Sequence, residues 1–265
     1  MTVDLEREYS PSSRVGGDAS PFVAAYRTGS ESVRAALGDR LIALEGGSLL
    51  VADDASAPLL VFIHGGYWQA LSAAESLSLA PAVLAHGWSY AAVEYTIAPE
   101  GTIAQMIDEC TAVLAALAKR LAPSTVVLAG HSAGAHLAAM VSLVAQSPLH
   151  IDRTVLLGGV FDLRPLLHTT VNDPLGLDEA TAAALSPQLL PVAALAVKEP
   201  HEVVVAWGDN ETDAFKLQSR SYAAHLAAAG MSVAAFECRG RHHFDLMNDL
   251  VDVNTELGRH TVGES

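Results

Sequence analysis

Basic residues are scarce in this chain. Only 15 of its 265 residues are Lys or Arg, against 30 Asp or Glu, for a formal net charge of −15. Nucleic-acid binding needs cationic surface to offset phosphates, and an anionic membrane surface makes the same demand. The balance argues against both partners, and the acidity reads as solubility. Cysteine is scarcer still. Cys110 and Cys238 stand far apart, in no Cys-x-x-Cys or zinc-type spacing, so two buried free thiols are expected. No His-Glu-x-x-His pattern occurs, and neither a metal nor a cofactor is expected. Long apolar runs are missing too: Lys119, Arg120 and Pro123 interrupt the longest helical pattern. Met1-Thr2-Val3-Asp4-Leu5-Glu6-Arg7 has no basic stretch leading into an apolar core, so no secretory signal is read and a soluble cytoplasmic protein is the default.

What is present is apolar. Hydrophobic residues make up 51% of the chain, which marks a folded globular protein. Strand-like runs fall at 48–52, 59–63, 89–94, 125–129, 153–158, 202–207 and 232–237. Helical patterns lie between them near 73–86, 102–121, 133–146, 213–229 and 244–258, with one or two short helices at 21–38. Strands alternating with helices imply right-handed crossovers: an α/β fold with a mainly parallel central sheet flanked by helices, one domain over 1–265. Residues 160–200 break the alternation with Pro165, Pro174, Pro187, Pro191 and Pro200, and read as a small cap insertion beside the site. Residues 1–20 are expected to wrap the surface.

Chemistry concentrates in two glycine-rich turns. Gly130-His131-Ser132-Ala133-Gly134 follows the apolar run 125–129 and precedes an alanine-rich helical pattern. Strand, pinched turn and helix in that order form a nucleophile elbow, with the Ser132 hydroxyl projecting at a helix N-terminus. His64-Gly65-Gly66-Tyr67-Trp68 follows the apolar run 59–63. Backbone N–H groups of Gly66, Tyr67 and Ala133, with Gly65 as a contributor, can converge on an oxyanion.

A serine needs a base, and the base needs an acid, in the order Ser, acid, His along the chain. Asp209, directly after the strand pattern 202–207, is favoured as acid, with Asp162 second. His243 is favoured as base over its neighbour His242. His64 is read as orienting the oxyanion loop and, with Trp68 and Phe161, as a candidate substrate contact, and Tyr67, Trp68 and Phe161 as candidates to pack on an aromatic ring.

These residues resemble a known family. His-Gly-Gly-Tyr-Trp-Gln at 64–69 with Gly-His-Ser-Ala-Gly-Ala-His at 130–136 is similar to kynurenine formamidase (arylformamidase), an α/β-hydrolase of the hormone-sensitive-lipase-like branch. The likeness extends to 5–12, 94–102, 159–163, 186–188, 208–219 and 243–245. It implies the α/β-hydrolase fold, with Ser132 as nucleophile, Asp209 as acid and His243 as base, and it lowers Asp162. It implies cleavage of N-formyl-L-kynurenine to L-kynurenine and formate, a step of tryptophan catabolism, on a small-molecule substrate. A short-chain carboxylesterase, or a deformylase or amidase of another small N-acyl metabolite, is the alternative. A non-catalytic binding protein of this fold is a third reading, disfavoured because every triad residue type is present. A homodimer stays open.

Overall fold

A computed structural model describes residues 4–145, 147–191 and 201–263. Eight strands form one sheet: β1 (Ile42–Ala43), β2 (Leu49–Val51), β3 (Leu59–Ile63), β4 (Ser89–Val93), β5 (Val126–His131), β6 (Arg153–Leu157), β7 (Glu202–Asn210) and β8 (Ser232–His242). Their spatial order is β1-β2-β4-β3-β5-β6-β7-β8. The β1–β2 and β2–β4 pairs are antiparallel, and every pairing from β4 to β8 is parallel. The central strands are apolar throughout because both faces are covered, as a parallel sheet requires. In β3, Leu59, Val61 and Ile63 enter one core layer while Leu60 and Phe62 enter the layer on the opposite face. Each such burial is worth roughly 1.5–3 kcal/mol.

The helices among the described residues are α1 (Leu5–Glu8), α2 (Ser20–Leu37), α3 (Ala80–Ala85), α4 (Ile103–Arg120), α5 (Ala133–Ala139), α6 (Asn172–Leu175), α7 (Glu179–Ala184), α8 (Asp213–Ala228) and α9 (Glu256–Thr261). Their starts follow local chemistry. At α4 the Thr102 hydroxyl accepts from Gln105 N, and the Gln105 side chain accepts from Thr102 N in return. This reciprocal cap satisfies two orphan donors.

Three departures from the sequence expectation have local causes. The edge strand β1 is only two residues long and has no periodicity to read. The helix expected over 244–258 is split into a 3-10 stretch at 246–251 and α9. Asp252 Oδ1 accepts from Asn254 N at 3.0 Å, and Thr255 Oγ1 then caps α9 at Gly258 N. A turn followed by an N-cap stops one helix and starts another. Third, β7 runs past Trp207 to Asn210, which takes Asp209 into the strand and leaves Glu211 in the loop after it. The cap insertion is built of short pieces, α6 and α7 among them, and its 192–200 stretch lies outside the described residues.

The N-terminal segment does more than wrap. The Glu8 carboxylate accepts from Ala214 N at 3.0 Å, and the Thr212 hydroxyl donates to Glu8 O at 2.6 Å. Arg14 Nε donates to Asn210 Oδ1 at 3.2 Å. The Glu6 carboxylate accepts from Thr170 N at 2.9 Å and from the Thr170 hydroxyl. α1 therefore straps the β7–α8 loop to the cap.

Candidate active site

β5 ends at His131, and Ser132 follows with φ 55° and ψ −118°. That conformation costs a non-glycine residue of order 1–3 kcal/mol, and surrounding contacts must hold it. They do. Ser132 N donates to Leu157 O at 2.8 Å, and Ala135 N donates to Ser132 O at 3.0 Å. A Cβ on Gly130 would lie 2.1 Å from Gly134 O, and one on Gly134 would lie 2.1 Å from Ile63 O. Only glycine fits at either side of the turn. Ala133 N is the first N–H of α5, where no intrahelical acceptor exists.

The loop after β3 lies against this elbow. A Cβ on Gly65 would come within 3.1 Å of Ser132 Cβ, and one on Gly66, at φ 102°, would meet Ala70 O at 2.1 Å. Tyr67 and Trp68 both have left-handed φ, 52° and 60°. Gly66 O accepts from Gln69 N at 2.9 Å and Ala70 N at 3.0 Å, closing the turn. His64 Nδ1 donates to Gly65 O at 2.8 Å, and the Tyr95 hydroxyl reaches His64 O at 3.0 Å. The Tyr67 hydroxyl donates to Tyr9 O and ties the loop to the N-terminal segment.

The sequence places the acid at Asp209, but the structure places Glu211 beside the histidine. His243 Nδ1 lies 2.8 Å from Glu211 Oε1, with side-chain exposures of 5% and 1%. Asp209 sits in the extended end of β7, where a register shift falls between Gly208 and Asn210. A Cβ on Gly208 would lie 2.4 Å from Arg241 O, so the strands approach closely here. Asp209 Oδ2 turns outward to accept from Gly240 N at 2.9 Å. The loop thus begins two residues later than the glycine suggests. The available signal was the helix start: Thr212 caps α8, which leaves Glu211 as the last loop residue before it. Asp162 is held by Arg164 at 2.7 Å and does not face the histidine pair. His242 Nδ1 accepts from Phe244 N at 3.1 Å, and its ring packs edge-on to Phe22.

Ser132 and His243 line one cavity of about 490 Å³, with Gly66, Tyr67 and His131. The N-terminal segment and the cap complete its walls through Tyr9, Val23, Tyr26, Arg27, Thr170 and Val171. A second cavity, about 770 Å³, lies between α1, Asp162 and α8, and its described lining includes neither Ser132 nor His243. The expected substrate contacts are displaced. His64 is buried behind the loop, stacked on Tyr95 at 4.2 Å. Trp68 is fully buried and meets His136 edge-on at 5.2 Å, while Phe161 stacks on Tyr222 at 4.2 Å. None of the three lines the Ser132 cavity. Tyr67 does.

The family model for the alpha/beta hydrolase fold matches residues 60–246. Kynurenine formamidase of Danio rerio is 32% identical over 283 residues, covering 99% of this chain and 97% of that protein. Kynurenine formamidase of Salmo salar is 34% identical, covering 96% and 93%. The chain is an alpha/beta hydrolase of the kynurenine formamidase family. A protein from silicibacter sp. tm1040 with a provisional thioesterase assignment superposes with a TM-score of 0.82, at 28% identity over 98% of this chain and 99% of that one. An esterase from Pyrobaculum calidifontis shares the fold, with a TM-score of 0.67 at 18% identity over 93% and 91%.

The electrostatics of this hydrolase follow from burial. Desolvation lowers His243 to about 3, with His242 adding to the effect. Desolvation raises Glu211 to about 8, against the opposing pull of His131, Lys216 and the Gly208 N–H. Burial therefore drives both members of the pair toward the uncharged form. A neutral imidazole with Nδ1 turned to Glu211 leaves Nε2 as a proton acceptor. His131 is likewise lowered to about 3 by burial, and its Nε2 donates to His243 O at 2.7 Å. Among the described residues, no group of three His, Cys, Asp or Glu is placed to hold a metal ion, and no helix is long and apolar enough to cross a membrane.

Proposed function

We propose that this hydrolase cleaves the formyl amide of N-formyl-L-kynurenine, giving L-kynurenine and formate, through Ser132, His243 and Glu211. His243 Nε2 takes the Ser132 proton as the hydroxyl attacks the formyl carbon. The tetrahedral oxyanion is received by backbone N–H groups of Gly66, Tyr67 and Ala133, with Gly65 contributing. Glu211 holds the imidazole tautomer through the 2.8 Å contact and stabilises the imidazolium as it forms. His243 then protonates the leaving aniline nitrogen, and water, deprotonated by the same histidine, releases formate from Ser132.

The observation that carries this reading is His243, paired with the buried Glu211, lining the same cavity as Ser132, in a chain alike end to end with kynurenine formamidases. Tyr67 lines the cavity with Ser132, and a formyl group is the smallest acyl group that could be placed beside it. The discriminating experiment compares kcat/KM for N-formylkynurenine with p-nitrophenyl acetate, butyrate and hexanoate. The expected order is formamide first, then acetate, then falling with acyl length. A profile that rises with chain length and shows no formamide cleavage assigns the same machinery to a short-chain carboxylesterase.

A further inference from the structure

The Ser132 cavity holds more than the reacting groups. Two residues with formal charge line it besides the histidines, Glu6 and Arg27. Glu6 is spoken for: both its oxygens accept from Thr170. Arg27 is different. Among the described residues its one ion pair, to Glu75 Oε1, is long at 3.5 Å, and its side chain is 61% exposed, so most of its five guanidinium donors meet no described protein acceptor.

The helix sets where this cation stands. Val23, Tyr26 and Arg27 on α2 all face the cavity, with the three- and four-residue spacing of one helical stripe. Tyr26 fixes that stripe relative to the base, because its hydroxyl donates to the carbonyl of Phe244, the residue after His243. Phe22 stacks on the Phe244 ring at 4.9 Å with 7° between planes. Arg27 is therefore held by a helix pinned to the His243 loop. A fork of cationic donors at the mouth of an aryl-amide site, in a chain of net charge −15, is matched by a planar carboxylate.

We propose that Arg27 is the specificity-determining residue for the leaving group, binding the carboxylate of an aryl formamide whose amine half is an amino acid. This rests on the formamidase reading above. It adds that the enzyme selects for a leaving group that carries a carboxylate, at a point remote from the scissile bond. The contact is made equally in ground and transition states, so it acts through KM.

The test uses N-formylkynurenine and N-formylkynurenamine, its analogue lacking the carboxylate, with wild type, R27Q and R27K. Wild type should favour the carboxylated substrate by roughly tenfold in KM, the scale of one charge-assisted contact discounted for exposure. R27Q should bring that ratio to about twofold or less, R27K should retain part of it, and added salt should raise the wild-type KM for the carboxylated substrate alone. An unchanged ratio in R27Q, or equal losses on both substrates, overturns the assignment. Inhibition of p-nitrophenyl acetate hydrolysis by kynurenine and by kynurenamine makes the same comparison without formamide turnover. If neither formamide is cleaved, the formamidase reading fails, and the inhibition ratio in R27Q against wild type decides Arg27 separately.

Discussion

Replacing Glu211 by Gln is the sharpest test of the acid. The substitution keeps the side chain's size, so the buried position remains filled. It replaces an acceptor with an amide that can turn an N–H toward His243 Nδ1. The imidazole then rests with its proton on Nε2, the nitrogen that must accept from Ser132. Water cannot restore the lost contact, because the Glu211 side chain is only 1% exposed. A triad acid changed in this way costs on the order of 10³–10⁴-fold in kcat/KM, or about 4–5 kcal/mol of transition-state stabilisation. Asp209→Asn is the matched control. Its carboxylate makes one hydrogen bond to Gly240 N at a partly exposed site, where water substitutes, and less than about a threefold effect is expected. Steady-state hydrolysis of p-nitrophenyl acetate and N-formylkynurenine reads both variants, with thermal melts to show that each is folded. If Asp209→Asn is inactive while Glu211→Gln retains a tenth of wild-type activity, the acid has been misassigned and the Glu211–His243 contact is structural.

Ser132→Ala should lose roughly 10⁴-fold or more in kcat with the melting temperature nearly unchanged, since the elbow is held by backbone hydrogen bonds; a variant keeping a tenth of the activity would place the nucleophile elsewhere. Gly66→Ala forces a Cβ to 2.1 Å from Ala70 O at φ 102°, so the oxyanion loop must shift and kcat should fall about 10²–10³-fold; near-normal turnover would remove this loop from catalysis. The pH profile has a definite sign. The working pair is a neutral His243 and an ionised Glu211. Burial lowers the first, so the imidazole is uncharged well below the ordinary histidine value, and raises the second to about 8, so the carboxylate form grows as pH rises. kcat/KM should therefore climb through about pH 8, from roughly pH 7 to roughly pH 9, as the pair titrates, and a fall over that interval would contradict the assignment.

The tight backbone turns at Ser132 and at Gly65-Gly66 were legible in the sequence because their requirements are local. Gly130, Gly134 and Gly66 sit where backbone atoms come within 2.1 Å of a notional Cβ, and no other residue meets that demand. The parallel sheet was legible from the alternation of apolar runs and helical patterns. The acid was not. Its position depends on how far β7 pairs with β8 beyond Gly208, a long-range property that no residue between 202 and 211 states. The substrate contacts failed for a related reason. Tyr67 and Trp68 are adjacent and share a left-handed backbone, yet one lines the cavity and the other enters the core. Which does which is decided by the neighbours packed behind the loop. The contribution of α2 to the cavity carries no motif at all, because it depends on Tyr26 finding a carbonyl more than two hundred positions away.

That strap across the chain has a consequence for how the enzyme comes into being. The Glu8 carboxylate and carbonyl are bonded to Ala214 and Thr212, and Arg14 to Asn210. During synthesis the segment 4–27 can meet Tyr67, Glu75 and Thr170 as each emerges, but its contacts to Asn210, Thr212, Ala214 and Phe244 wait until nearly four-fifths of the chain or more has left the ribosome. The intervening strands can pair in the meantime, since β3, β4, β5 and β6 need no help from it. The cavity is thus among the last parts of the molecule to close, and it closes by a long-range contact whose loop entropy is met in one step. A nascent or truncated chain can hold a finished elbow around Ser132 and still lack the wall that α2 forms once Tyr26 is bonded to Phe244.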